Sequence, residues 1–144
     1  MTDKKLKLLN PEDIKLLIIH CSDTQNNKNI NAKYIHKMHL NFGWDGIGYH
    51  KVILRNGLIE NGRPEYWVGA HVEGKNTISL GVCLIGKDNF TKKQFMSLEK
   101  IIKIWQNTYP NSKVVGHCKA TETHKTCPNF DVKNWCLDRG FSCL

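Results

Sequence analysis

An almost wholly apolar run, Ile14-Lys15-Leu16-Leu17-Ile18-Ile19, leads into His20 and decides the fold. A strand that is apolar on both faces belongs in the middle of a sheet, because both of its faces must be covered. We therefore predict a central β-strand over residues 14–20. His20 emerges where this strand meets the polar loop Cys21-Ser22-Asp23-Thr24, which is a suitable place for a side chain that faces a cleft.

Helices and further strands alternate along the rest of the chain. Capping residues and stop signals predict helices over about 31–42, 91–109 and 131–139. Apolar runs and an Asn-Gly turn predict strands over 49–54, 58–60, 79–85 and 113–115. The pattern indicates a single α/β domain over residues 14–144, with a central mixed β-sheet flanked by helices. Residues 1–13 are expected to form a loosely docked N-terminal lead-in.

Length and composition are those of an ordinary globular domain. The chain has 144 residues, of which 40% are hydrophobic and 24% charged, enough for one sizeable core. No apolar run approaches the ~20 residues of a membrane span, and the N-terminus lacks the features of a signal peptide. We expect a monomer that is synthesised in the cytoplasm, without membrane insertion. Work outside the membrane would then need assisted export or lysis.

The charge balance favours an anionic partner. There are 21 Lys and Arg against 13 Asp and Glu, a formal net charge of +8. Nucleic acid, an anionic cell-wall polymer and a membrane surface all fit this charge, as do lysine faces that only meet solvent. The basic residues are scattered and no aromatic-interleaved basic motif is present, so specific nucleic-acid binding is not expected.

A turn-rich segment, Gly116 to Asp131, gathers two histidines, two cysteines and two lysines. Such borderline and soft ligands suit zinc. His117 and Cys127 would supply two ligands, and His20 is the best third donor. Two histidines, one thiolate and an open position make a catalytic zinc site, because a structural site normally takes four protein ligands. Cys21 or Cys118 as a fourth ligand, or His124 as a rival, stays open.

The six cysteines, at 21, 83, 118, 127, 136 and 143, include no CxxC pair. Their irregular spacing argues against a disulfide framework. Cys136 and Cys143 are near enough in sequence to pair in an oxidising compartment. The remaining cysteines, Cys127 apart, are expected to be buried free thiols.

Five sequence blocks occur in order along about residues 14–136: Ile19–Ser22, Gly46–His50, Gly69–His71 with Asn76, Ser79–Val82, and Lys125–Asp131. Together they resemble the zinc-dependent N-acetylmuramoyl-L-alanine amidases of type 2, a group that includes amidase-type phage lysozymes and peptidoglycan recognition proteins. The resemblance implies a zinc cleft on one face of the sheet. It also implies hydrolysis of the amide between N-acetylmuramic acid and L-alanine, and hence endolysin-like, bacteriolytic and antimicrobial activity on peptidoglycan or muropeptides.

The resemblance also assigns roles to residues. It implies Zn²⁺ on His20, His117 and Cys127, with Tyr49 and Lys125 as catalytic residues. Lys125 would stabilise the oxyanion of the tetrahedral intermediate, and Tyr49 would orient or deprotonate the attacking water or hydrogen-bond the intermediate. The loop between His117 and Cys127 is about two residues longer than in short phage relatives, which makes His124 and Lys119 rivals.

The long loop over residues 61–77 offers Trp67, His71 and Asn76 for substrate binding. Two of these have a structural alternative, since His71 could instead hold the loop through a hydrogen bond and Trp67 could pack beneath it.

Two other functions of the protein also stay open. One is a non-catalytic peptidoglycan-binding module, and the other, less favoured, is a basic nucleic-acid-binding protein with a structural zinc.

Overall fold

A computed structural model describes residues 7–121 and 126–144. Its centre is a five-stranded mixed sheet with the strand order β3-β2-β4-β1-β5. The strands are β1 (Leu16–Cys21), β2 (Lys51–Ile53), β3 (Ile59–Asn61), β4 (Ser79–Leu84) and β5 (Lys113–Gly116). β1 pairs in parallel with both β4 and β5, β2 pairs in parallel with β4, and β3 is antiparallel to β2.

The helices flank this sheet. They are α1 (Ala32–Asn41), α2 (Lys92–Thr108), α3 (His117–Thr121) and α4 (Val132–Arg139). Short 3₁₀ turns lie at Pro11–Asp13 and Asn76–Ile78. The predicted single-domain α/β fold with a central mixed sheet is therefore confirmed. Within the residues described, no helix is long and apolar enough to cross a membrane.

The central strand β1 is buried along its whole length. Because side chains alternate along a strand, Leu17 and Ile19 enter the large core that α2 and α4 cover. Leu16 and Ile18 enter a smaller cluster on the other face, which contains Ala120 of α3. His20 follows Leu16 and Ile18 in this alternation and so lies on the α3 side of the sheet.

Capping chemistry sets the helix ends as predicted. Asn31 accepts a hydrogen bond from the backbone of Tyr34 at the start of α1, and Asp131 does the same for Asn134 at the start of α4. Gly140 ends α4 in the left-handed conformation, with φ 75°. A complete capping box joins Thr91 and Gln94 at the start of α2.

The structure corrects the lead-in. Residues 7–13 are not loosely docked, because the backbone of Leu9 donates to Tyr66 O at 2.8 Å and that of Val68 donates to Lys7 O at 2.7 Å. Leu9 is also buried in the main core. This contact could not be predicted from the sequence, because its partner is a loop more than fifty residues away.

Local boundaries differ in three further places. β1 begins at Leu16, not Ile14, and ends at Cys21. The first strand of the hairpin is only Lys51–Ile53, and in its turn only Gly57 has a positive φ, of 89°. The residues after β5, expected to be turns, form the short helix α3. Five residues are too few for helical periodicity to be read from sequence.

All six cysteines are free thiols.

The Thr91 cap provides a stability test. Its hydroxyl accepts from Gln94 N at 3.0 Å and donates to Arg55 O at 2.7 Å, so it joins α2 to the hairpin turn. Thr91→Ala should lower the free energy of unfolding by about 1–2 kcal/mol, as loss of a helix cap does. Urea denaturation would measure this. Thr91→Ser keeps the hydroxyl and should lose much less, whereas equal losses would assign the effect to the methyl group.

Candidate metal centre

Three side chains converge at the carboxyl end of the central strands. One ligand atom from each of His20, His117 and Cys127 lies within 4.8 Å of the other two. His20 stands near the end of β1, and His117 is the first residue after β5. Since Ile19 of β1 pairs with Gly116 of β5, the two histidines leave their strands side by side, with ring centroids 4.6 Å apart.

Cys127 reaches the site from a turn before α4. The backbone N–H of Cys21 donates to Cys127 Sγ at 3.2 Å, and the Cys21 thiol lies 3.7 Å from the same sulfur. Asn129, in the left-handed region with φ 67°, donates from its side chain to Lys87 O at 2.6 Å. These bonds fix the turn against the ends of β1 and β4.

Burial sets the protonation states of the ligands. Burial, and then the neighbouring His71 and His117, lowers the pKa of His20 well below its usual value. His20 is therefore neutral at pH 7, the form that binds a metal. The hydrogen bond with the Cys21 thiol, together with burial, raises the pKa of Cys127. Metal binding at this cysteine must therefore displace a proton.

This donor set fits zinc, which prefers imidazole nitrogen and thiolate sulfur at close range. Neither Cys21 nor Cys118 joins the ligand group among residues 7–121 and 126–144. Three protein ligands with room for a fourth, non-protein ligand are typical of a catalytic centre, whereas a structural centre is closed by four. His124, the other proposed rival, lies outside the described residues.

Tyr49 lies beside the ligand group. Its ring centroid is 5.0 Å from that of His20 and 5.4 Å from that of the buried His39. Burial, and then the thiols of Cys83 and Cys127, raises the pKa of Tyr49 well above its usual value. The phenol therefore keeps its proton at pH 7. This makes Tyr49 a hydrogen-bonding group and argues against the alternative that it deprotonates water.

The backbone before β2 is held so that Tyr49 faces the site, whereas His50 turns to other partners. His39 Nδ1 accepts from Gly48 N at 3.0 Å. His50 Nδ1 accepts from Gly81 N at 3.1 Å, so its Nε2 carries the proton and donates to Trp67 O at 2.8 Å. Both ring nitrogens of His50 are thus hydrogen-bonded within the protein.

The residues expected in the substrate groove fall into different environments. Asn76 Oδ1 accepts from the backbone of both His71 and Val72, at 2.9 Å each, and so holds the loop. His71 contacts His20 directly, with 2.8 Å between Nδ1 and Nε2. Trp67 is half-buried and lines an open groove of about 360 Å³ with Lys33 and Arg63.

The two lysines between His117 and Cys127 differ in what the structure describes. Lys125, expected to be catalytic, lies outside the described residues and its role stays a prediction. Lys119 is exposed on α3. Two other contributors could not be inferred from the sequence, namely the Cys21 backbone that donates to Cys127 and the Ser79 hydroxyl that contacts His71. Their importance depends on contacts between distant segments.

Comparison with known proteins identifies the family of this chain. The N-acetylmuramoyl-L-alanine amidase family matches residues 10–130, most of the chain. The chain belongs to this family. The endolysin of Enterobacteria phage K11 is 33% identical over 139 residues, which cover 91% of each chain.

Solved structures of the same family share the fold. The endolysin N-acetylmuramoyl-L-alanine amidase LysCS from Clostridium intestinale superposes with a TM-score of 0.82 at 25% identity, over 98% of this chain and 94% of that one. Bumblebee PGRP-SA gives a TM-score of 0.77 at 26% identity, over 94% and 89%. The resemblance inferred from the five sequence blocks is confirmed.

The ligand set predicts the outcome of a metal-binding experiment. Cys127→Ala should abolish stoichiometric zinc binding, because two histidines alone hold zinc weakly. Protein incubated with one equivalent of zinc, dialysed and analysed by atomic emission would show this. Cys118→Ala is the matched control and should retain one zinc per chain. Retention of zinc by the Cys127 variant would transfer the ligand role to another residue.

Proposed function

We propose that this protein is a zinc-dependent N-acetylmuramoyl-L-alanine amidase that acts on bacterial peptidoglycan. The observation that carries the proposal is the convergence of His20, His117 and Cys127 within 4.8 Å, in a chain of the amidase family. Three ligands rather than four favour hydrolysis over a structural role for the metal.

The residues of the site have separate tasks. His20, His117 and Cys127 would hold the zinc, which supplies a Lewis acid for the amide carbonyl and activates water near neutral pH. Tyr49, protonated and in contact with His20, would donate a hydrogen bond to the oxygen that gains negative charge. Lys125 would add an ammonium group to this stabilisation, as preorganised donors do for oxyanions.

The substrate follows from the relatives and from the charge. The relative from phage K11 is an endolysin, and the net charge of +8 suits an anionic cell-wall polymer. We infer that the amide between N-acetylmuramic acid and L-alanine is cleaved after the protein reaches the wall, by assisted export or at lysis. Bacteriolysis and antimicrobial action are the expected consequences.

A non-catalytic peptidoglycan-binding function is the second candidate, because peptidoglycan recognition protein-LE, whose structure was solved in complex with tracheal cytotoxin, shares the fold. Catalysis is favoured because Cys127 lies within reach of His20 and His117, and Tyr49 contacts the His20 ring. The nucleic-acid alternative requires a closed structural zinc, and no fourth ligand joins the group among the described residues.

Digestion of purified sacculi tests the reaction. We expect free stem peptides by mass spectrometry, without new reducing sugar ends, since glycan chains stay intact. A chelator should stop the release and zinc should restore it. Intact sacculi that bind the protein without releasing peptide would support the recognition function instead, and new reducing ends would refute the assigned bond.

The oxyanion role of Lys125 predicts a selective kinetic defect. Lys125→Ala should lower turnover by about 10²–10³-fold, the scale for loss of one oxyanion donor. Zinc content and peptidoglycan affinity should change little, because the interaction forms mainly in the transition state. Lys119→Ala is the control and should stay close to wild type. If the two variants were equally impaired, the longer loop would have changed the register of the site.

Tyr49→Phe should give a loss of similar size, again with zinc content preserved. The substitution removes one hydroxyl and little packing volume, so the thermal midpoint should move only slightly. Steady-state turnover on soluble muropeptides, together with a melting curve, would separate the two effects. Normal turnover in this variant would remove the phenol from the mechanism.

A further inference from the structure

The His20 ring has a second partner that the proposed reaction does not use. His20 Nε2 lies 2.8 Å from His71 Nδ1, and the two rings meet edge-on, with centroids 4.9 Å apart and planes at 83°. A bond of this length needs one proton between the two nitrogens. Which nitrogen carries that proton decides whether His20 can bind a metal.

The far side of the His71 ring settles the direction of this bond. Ser79 Oγ donates its single proton to Lys75 O at 2.8 Å. The same oxygen lies 3.3 Å from His71 Nε2, and it can therefore only accept there. His71 Nε2 must carry the ring proton, since a neutral imidazole has one donor and one acceptor nitrogen.

The proton of His20 follows from that of His71. With its proton on Nε2, His71 presents a lone pair on Nδ1, and so His20 must donate from Nε2. The lone pair of His20 is then on Nδ1, the nitrogen left for a metal. The opposite arrangement, with His71 donating, would place a proton on His20 Nδ1 and block metal binding through that atom.

The protein holds the His71 ring in a slot that only glycines allow. A Cβ atom on Gly81 would lie 2.6 Å from His71 Nδ1, and one on Gly69 would lie 2.6 Å from His71 Cδ2. The Asn76 amide fixes the backbone of His71 from a third side. Position and orientation of the ring are therefore set by the fold before any ligand arrives.

We propose that His71 is a positioning residue, which selects the Nε2–H tautomer of His20 and so presents Nδ1 to the zinc. This inference rests on the proposed zinc site. It replaces the expectation that His71 binds substrate, because both of its nitrogens are already engaged, with His20 and with Ser79. Groups of this kind typically change metal affinity by about 10–100-fold.

A matched pair of variants tests the proposal. Leu and Asn have similar size and branching, but Asn places an acceptor oxygen close to the position of His71 Nδ1. His71→Leu should weaken zinc binding by about 10–100-fold, and His71→Asn should restore most of the loss. Competition with a chromophoric chelator measures the affinity of each purified protein. Equal zinc affinities for wild type and His71→Leu would overturn the proposal.

A spectroscopic readout separates positioning from general structural damage. Long-range ¹H–¹⁵N correlation spectra of the zinc-loaded wild type should show His20 protonated at Nε2 and metal-bound at Nδ1. His71→Leu should lose the slowly exchanging Nε2 proton, while circular dichroism and the metal-free affinity for sacculi stay unchanged. Metal on His20 Nε2, or a variant that loses sacculus binding but keeps zinc, would refute the assignment.

The same measurements distinguish a failure of the proposed zinc site from a failure of the role of His71. Wild-type protein that fails to bind one zinc would refute the proposed zinc-dependent function, and the role of His71 with it. Wild-type protein that binds zinc tightly, together with an equally tight His71→Leu variant, would refute only the role of His71. Ser79→Ala removes the group that sets the His71 tautomer and should weaken zinc binding less than His71→Leu.

Discussion

The parallel pairing of β1 with β5 is the constraint on which the site depends. The register sets Ile19 against Gly116, so the residues that follow, His20 and His117, emerge together at one edge of the sheet. A slip of one residue would turn the side chains of one strand to the opposite face. The apolar side chains that bury β1 on both faces therefore also fix the spacing of two candidate metal ligands.

The position of the third candidate ligand depends on a different kind of interaction. Cys127 lies on a turn, and hydrogen bonds from the backbone of Cys21 and through the side chain of Asn129 attach that turn to the strand ends. A turn held at several points can place one sulfur accurately. Two candidate ligands are thus positioned by the sheet and the third by a tethered turn.

Burial gives the site its chemical character. His20 and His71 both have a pKa lowered well below the usual value, chiefly by burial, while burial raises that of Tyr49. All three side chains are thus neutral over the physiological pH range and act through hydrogen bonds or lone pairs. The hydrogen bonds that link His20 to His71, Ser79 and the Lys75 carbonyl therefore all have the same donor-to-acceptor direction, because the carbonyl can only accept.

The sequence by itself determined the central strand, the capped helices and the three candidate ligands, because apolar periodicity, caps and ligand chemistry are local properties. It could not determine the docking of residues 7–13 on the loop at Tyr66, nor the short helix α3. Only the tertiary structure could suggest the role proposed for His71, since its partners His20 and Ser79 come from different strands and the direction of each hydrogen bond depends on where the partner lies. Long-range geometry, not residue type, changed the proposed role of this histidine from substrate binding to support of the candidate metal site.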